Sequence, residues 1–164
     1  MELRLKGEYQ YNITIQNMFH TYTASYNNHN LITDEGLKFL VSKWNSEGGD
    51  ITQIILGTNT KEPSPTDTID TFHNHYIFNV DCHTEDNCFM MNTTNLSGKH
   101  LNNTREIGVI ATDLTQFNDE YEDEEDASVV LVSRSTHPLI SIPSTALINI
   151  EYKYTLTSVE SDNC

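Results

Sequence analysis

At 164 residues the chain is long enough for one domain with a real core, needing no metal or disulfide staples. Asp and Glu number 24 against 9 Lys and Arg, a net charge of -15. That balance excludes direct binding to nucleic acid or anionic membranes and favours solubility, basic partners or divalent cations. Only 37% of residues are hydrophobic, and Asn and Thr are abundant, which suits β-structure with polar loops or a subunit completed by neighbours.

The N-terminus MELRLKGEYQYN has no apolar stretch of signal-peptide type, and no apolar run reaches membrane-spanning length. The 3 cysteines, Cys82, Cys88 and Cys164, are too few for a disulfide scaffold, so a reducing compartment is expected.

Residues 8–17 alternate, with Tyr9, Tyr11, Ile13 and Ile15 on one face and Gln10, Asn12, Thr14 and Gln16 on the other. This predicts a half-buried strand. A second strand over 21–26 and a turn at Asn27–Asn30 follow. Thr33 then has the chemistry of a helix N-cap, Asp34 and Glu35 suit the positive end of the helix dipole, and Ile32 and Leu37 are placed for a hydrophobic staple. Leu37, Leu40, Val41 and Trp44 follow the i, i+3, i+4, i+7 spacing of a buried face, and Gly48-Gly49 stops the helix. Gly36, costly inside a helix, predicts a close approach by a neighbouring strand.

Ile51–Leu56 reads as a buried strand, and 57–70 as a loop in which Pro63 and Pro65 block pairing. Residues 75–82 and 88–94 suggest a hairpin across His83–Asn87, with Asn92–Asn103 as a polar loop. Glu106–Ala111 and Ser128–Arg134 are strands flanking an acidic segment, and His137–Ser144, with two prolines, is irregular. Ala146, Ile148, Ile150, Tyr152, Tyr154 and Leu156 alternate with polar positions and give the clearest strand. Tyr9, Tyr11, Tyr152 and Tyr154 suggest that the terminal strands pair and share an aromatic face, either core or a seam between subunits. The predicted fold is mainly β (α+β), an antiparallel β-sandwich with one packed α-helix. It is one domain over 1–157, with helix 33–46, an acidic hairpin insertion at 117–127 and a flexible tail at 158–164.

Two clusters invite a site. Asp119, Glu120, Glu122, Asp123, Glu124, Glu125 and Asp126 form an acidic run. It has no glycine pivot or Asp-x-Asp-x-Asp spacing for calcium, so it reads as a solvated hairpin tip or as a negative tongue docking on a basic neighbour. His73, His75, Cys82, His83 and Cys88 are the metal candidates, but His-x-His and Cys-x₅-Cys are not the usual zinc spacings. Ordinary loop and strand residues are the favoured account, with a Cys82–Cys88 bond across the hairpin under oxidation as the alternative. Trp44 reads as core or interface, with a binding platform as the alternative. No Gly-x-Ser-x-Gly, His-Glu-x-x-His or glycine-rich phosphate loop organises the remaining residues, so neither enzymatic activity nor a cofactor is expected.

Five segments, in order, resemble a family of tailed-phage tail-fibre and baseplate-type virion domains. They are Leu31-Ile32-Thr33-Asp34-Glu35-Gly36-Leu37, Ile54-Ile55-Leu56-Gly57-Thr58, Pro63-Ser64-Pro65-Thr66-Asp67-Thr68, Arg105-Glu106-Ile107-Gly108-Val109 and Leu131-Val132-Ser133-Arg134. The strand Ala146–Leu156 falls where that family's last strand would. Asn59 stands where the family usually has glycine, and the acidic run replaces a short turn. The resemblance implies a virion structural protein assembled in the host bacterial cytoplasm, oligomeric and bridging other virion proteins. The chain stops where a fibre shaft would begin, so a neck-ring, adaptor or baseplate subunit is expected over a fibre. A β-sandwich module recognising host-surface glycans is the alternative.

Overall fold

The computed structural model describes residues 2–16, 18–43, 51–85, 88–112 and 129–159. Its strands are β1 (Glu2–Gln16), β2 (Thr21–Ile32), β3 (Ile51–Gly57), β4 (Tyr76–Asn79), β5 (Asp81–Glu85), β6 (Cys88–Ser97), β7 (Glu106–Thr112), β8 (Val129–Thr136) and β9 (Leu147–Val159). Helix α1 spans Asp34–Lys43, a 3-10 turn spans Ile69–Thr71, and a one-turn helix α2 spans Gly98–Leu101. The fold is mainly β and antiparallel.

All nine strands form one continuous sheet, in the order β4-β3-β7-β8-β2-β1-β9-β6-β5. β2 links its two halves: Gly7 to Gln16 of β1 pair with Thr21 to Asn30, while Leu31 and Ile32 pair with Arg134 and Ser133 of β8. The chain crosses back at Val80, between β4 at one end of the strand order and β5 at the other. A sheet turned at such corners can close over its own core. One apolar cluster joins Tyr9, Tyr11, Ile148 and Tyr152 from one half to Ile54, Leu56, Ile107 and Val132 from the other.

The terminal strands pair as predicted, with Tyr9 opposite Tyr152 and Tyr11 opposite Ile150. Their tyrosines are core: Tyr9, Tyr11, Tyr152 and Tyr154 are all buried. β9 runs beyond its expected end, pairing Ser158 with Leu3 and Val159 with Glu2.

Three local expectations are corrected. Residues 75–82 do not form one arm of a hairpin. β4 pairs with β3, and β5 with β6, because the chain changes halves at Val80. Residues 92–103 are not a loop. β6 continues through a register shift between Thr93 and Leu96, where Asn95 takes φ 57°, and Ser97 caps α2. Asparagine tolerates that left-handed backbone, so the polar composition marks a bulge and not the end of the strand. Finally, Leu37 is 50% exposed. Helix α1 turns Gly36 toward β8 and packs Phe39 and Leu40 beside the core, so its buried stripe is rotated from the one predicted.

Gly36 makes that rotation possible. A Cβ there would lie 2.1 Å from the Val132 carbonyl oxygen, so only glycine fits without displacing backbone. Thr33 caps the helix as predicted, its Oγ1 accepting the Gly36 N–H at 2.9 Å. The same hydroxyl donates to the Leu131 carbonyl, and the Thr33 N–H donates to the Val132 carbonyl at 3.1 Å.

Candidate functional site

The register of β8 shifts between Ser133 and Leu131, opposite Val109 and Ile110 of β7. The extra residue, Val132, changes which side chains face the core. Leu131 packs outward with Ile55, Phe72 and Ile110, while Ser133 faces inward toward Tyr152 and Tyr154.

Inward, Ser133, Ser135 and His137 form a polar row with strand periodicity. Ser133 Oγ bonds the Tyr152 hydroxyl at 2.7 Å and also the Tyr154 hydroxyl. Ser135 Oγ reaches the Tyr9 hydroxyl at 3.5 Å, and the Tyr11 hydroxyl meets His137 Nε2 at 3.0 Å. Burial raises the tyrosine pKa values, so these hydroxyls stay protonated. Burial lowers the pKa of His137, assisted by the Arg105 charge and opposed by the hydrogen bond to the Pro138 carbonyl. This row joins the two halves of the sheet with neutral hydrogen bonds.

On the other face of β8, Arg134 is fully buried. Its Nε donates to Glu106 Oε2 and its Nη1 to Asp67 Oδ2, each at 2.9 Å. Glu106 lies on the same face, diagonal to Arg134, because β7 pairs Glu106 with Thr136 and Gly108 with Arg134. Glu106 Oε1 also accepts the backbone N–H groups of Asn59 (2.7 Å) and His73 (3.2 Å), and Asp67 Oδ2 accepts the Ser64 N–H (2.9 Å). The Phe72 ring lies 5.7 Å from the guanidinium carbon. Gly57 leaves room for the Glu106 carboxylate, which a Cβ there would meet at 2.4 Å. One guanidinium thus pins the loop between β3 and β4 onto the outer face of β7 and β8. Lys61, itself exposed, lies 3.8 Å from Asp67 Oδ1, and Arg134 Nη2 is buried without a hydrogen-bond partner among the described residues, so the guanidinium is held through Nε and Nη1.

The five segments quoted above meet around this centre. Asp34 N–H donates to the Pro65 carbonyl at 2.8 Å, and Arg105 N–H to the Gly57 carbonyl at 2.9 Å. Asp67 and Glu106 bind Arg134, and Thr33 binds the Val132 carbonyl. Sequence reasoning quoted these residues as separate motifs but did not foresee their ionic contact. The available signal was a lone arginine two positions after the apolar run Val129–Val132 and a glutamate opening the apolar strand β7.

Comparison with family models, curated proteins and solved structures gave no match.

The metal candidates are not brought together. His73 and His75 lie exposed before β4, Cys82 and His83 on β5, and Cys88 on β6 beside Thr155. Among the described residues no group of three or more His, Cys, Asp or Glu could hold a metal ion. Cys82 pairs with Met91 and Cys88 with Glu85, so alternation places the two sulfurs on opposite faces and not across from each other. The acidic run Asp119, Glu120, Glu122, Asp123, Glu124, Glu125 and Asp126 lies outside the described residues, as do Trp44 and Gly48-Gly49. Among the described residues no helix is long and apolar enough to cross a membrane.

Among the open grooves with room for a ligand, one of about 340 Å³ is lined by Glu8, Gln10, Asn27, His29, Glu151 and Lys153 among others. Register explains it: Gln10 lies between Asn27 and Glu151, and Glu8 between His29 and Lys153. Lys6 bonds Glu8 at 2.7 Å, and that contact lowers the Glu8 pKa.

Proposed function

We propose that the chain is a structural subunit of a tailed-phage virion, placed in the tail, neck ring or baseplate, where it bridges other virion proteins and copies of itself. The observation that carries this reading is the convergence on Arg134. The five segments that resemble the virion family are scattered over about a hundred positions of sequence, yet they form one hydrogen-bonded unit. That these segments build one unit supports reading the likeness at the level of a domain. Its chemistry suits a scaffold: a buried ion cluster, a capped helix and a tyrosine layer.

The test is the particle itself. Mass spectrometry of tailed particles purified from the producing host is expected to find the chain at a fixed stoichiometry. Light scattering of the isolated chain is expected to give a closed oligomer, alone or on its virion partner. A strictly monomeric chain, absent from purified particles, would overturn the proposal.

The polar groove favours a second reading, recognition of a host-surface glycan. Amides and carboxylates side by side on a sheet can bond vicinal sugar hydroxyls. Silence on a glycan array, with Gln10→Ala indistinguishable from the parent in host-cell binding, would remove it.

A further inference from the structure

The polar groove does not end at Gln10. A second hollow, of about 370 Å³, shares that residue with it and is lined by Gln10, Asn12, Thr14, Thr23, Ala24 and Ser25 among others. Strand alternation accounts for this lining. Tyr9, Tyr11 and Ile13 are buried, so Gln10, Asn12 and Thr14 face away from the core. Across the ladder Gln10 pairs with Asn27, Asn12 with Ser25 and Thr14 with Thr23, and direct partners share a face. Three successive rungs are therefore amide or hydroxyl on both strands. From Glu8 to Thr14 the trough follows β1 for about 20 Å, at the usual rise of a strand.

The chemistry of the trough selects its ligand. Among the described residues no Asp, Glu, Lys or Arg lines the second hollow. In the first, the carboxylates of Glu8 and Glu151 are balanced by Lys153 and by Lys6, which bonds Glu8. With His29 neutral, the trough has no net charge to draw a polyelectrolyte, and no cluster of Lys and Arg for phosphates. Tyr9 borders it at 2% exposure, so its ring offers no platform for a base. The β1 floor is paired with β2 on one side and β9 on the other, which leaves no strand edge there for an extended peptide. What the trough offers is hydrogen bonding. Gln10 Nε2 donates to Asn12 Oδ1 at 2.8 Å, which orients both amides. Gln10 then presents its carbonyl oxygen as an acceptor and Asn12 its NH₂ as a donor, with the Ser25, Thr23 and Thr14 hydroxyls able to do both. Adjacent hydroxyls of a sugar, each donor and acceptor, complement that set.

We propose that the trough binds a linear, uncharged oligosaccharide laid along β1, with one subsite in each hollow and Gln10 between them. The proposal rests on the glycan reading of the groove, not on the virion reading, and deepens it by setting the charge and the least length of the ligand. Two hollows that meet at one residue call for linked sugars, because a single ring reaches only one of them. Met90 in the first hollow and Ala24 in the second supply small apolar surfaces for the C–H faces of the rings.

NMR titration of the whole chain tests it, with linear oligosaccharides of glucose, galactose, mannose and N-acetylglucosamine, from one to six units, as probes. In at least one series the side-chain amide signals of Gln10 and Asn12 are expected to shift, with affinity rising about tenfold or more from the single sugar to the hexamer. Asn12→Ala and Ser25→Ala are each expected to weaken hexamer binding about threefold or more. Ser25 is exposed, so its variant decides if Asn12→Ala disturbs the sheet. Equal affinity for the single sugar and the hexamer overturns the two-subsite ligand. Tighter binding of a sulfated or sialylated chain overturns the uncharged one. The glycan reading survives both results. Silence of every series overturns the proposal, and the glycan reading falls with it only where the glycan array and host-cell binding are silent too. A response of β1 and β2 to a peptide or a nucleic acid in place of sugar overturns it as well.

Discussion

The two faces of β8 are held by different chemistry. Outward, a single guanidinium binds two carboxylates, with Arg134 and Glu106 at 0% side-chain exposure and Asp67 at 3%. Inward, Ser133, Ser135 and His137 share neutral hydrogen bonds with four tyrosines. The outer centre concentrates its dependence in one residue, since removing Arg134 would leave the buried Glu106 and Asp67 carboxylates without the cation they share. The inner layer spreads its dependence, because each lost hydroxyl leaves a large apolar ring in place. Burial alone does not rank these sites; what counts is the group left behind.

The largest effect is therefore expected at Arg134. Arg134→Met should destabilise the fold by about 3–5 kcal/mol, measured by urea denaturation. Replacing Glu106 and Asp67 with neutral residues in the same chain should recover part of that loss. Recovery should stay incomplete, since the Asn59, His73 and Ser64 amides lose their acceptors. A loss under about 1 kcal/mol from Arg134→Met would break the contrast between the two faces, because a buried ion pair cannot be opened so cheaply.

The inner layer should give smaller, shared losses. Tyr152→Phe and Tyr154→Phe are each expected to cost about 1 kcal/mol, the net worth of a typical internal hydrogen bond. Both rings bond the same Ser133 hydroxyl, so the double variant should fall short of the sum. Strict additivity would mean that Ser133 does not couple them.

How legible these regions were differs too. The tyrosine face was visible in the sequence, because a strand repeats every two residues and Tyr9, Tyr11, Tyr152 and Tyr154 keep that period. The Thr33 cap and the close approach at Gly36 were visible for a similar reason, since each rests on local backbone rules. The ion triad was not visible as a contact. It links positions 67, 106 and 134, which only the pairing of β7 with β8 and the fold of the 58–73 loop bring together. The chain crossing at Val80 also escaped notice, because 75–82 is continuous in composition while its partners lie in different halves of the sheet. The rotation of α1 escaped because periodicity counts apolar residues, and here the buried stripe centres on a glycine. The five resembling segments were legible as words; their bonding to one another was not.

The smallest effect should come from His137, the imidazole partner of Tyr11 in the tyrosine layer. It lies among Tyr9, Tyr11 and Tyr26, with Arg105 nearby. Its pKa in the folded chain is below the usual 6.5, chiefly because burial penalises the charged ring. The unfolded chain then binds the proton more readily than the folded chain in the window just below pH 6.5. By linkage, stability is full above that value and declines as pH falls toward the folded-state pKa. The decline should be shallow, set by at most one proton. His137→Gln keeps a polar side chain near the Tyr11 hydroxyl but cannot take up the proton. Urea midpoints measured from pH 7 downward through that window should fall more for the parent than for the variant. Parallel curves for the two proteins would show that the layer tolerates an imidazolium, and that both faces of β8 accept charge.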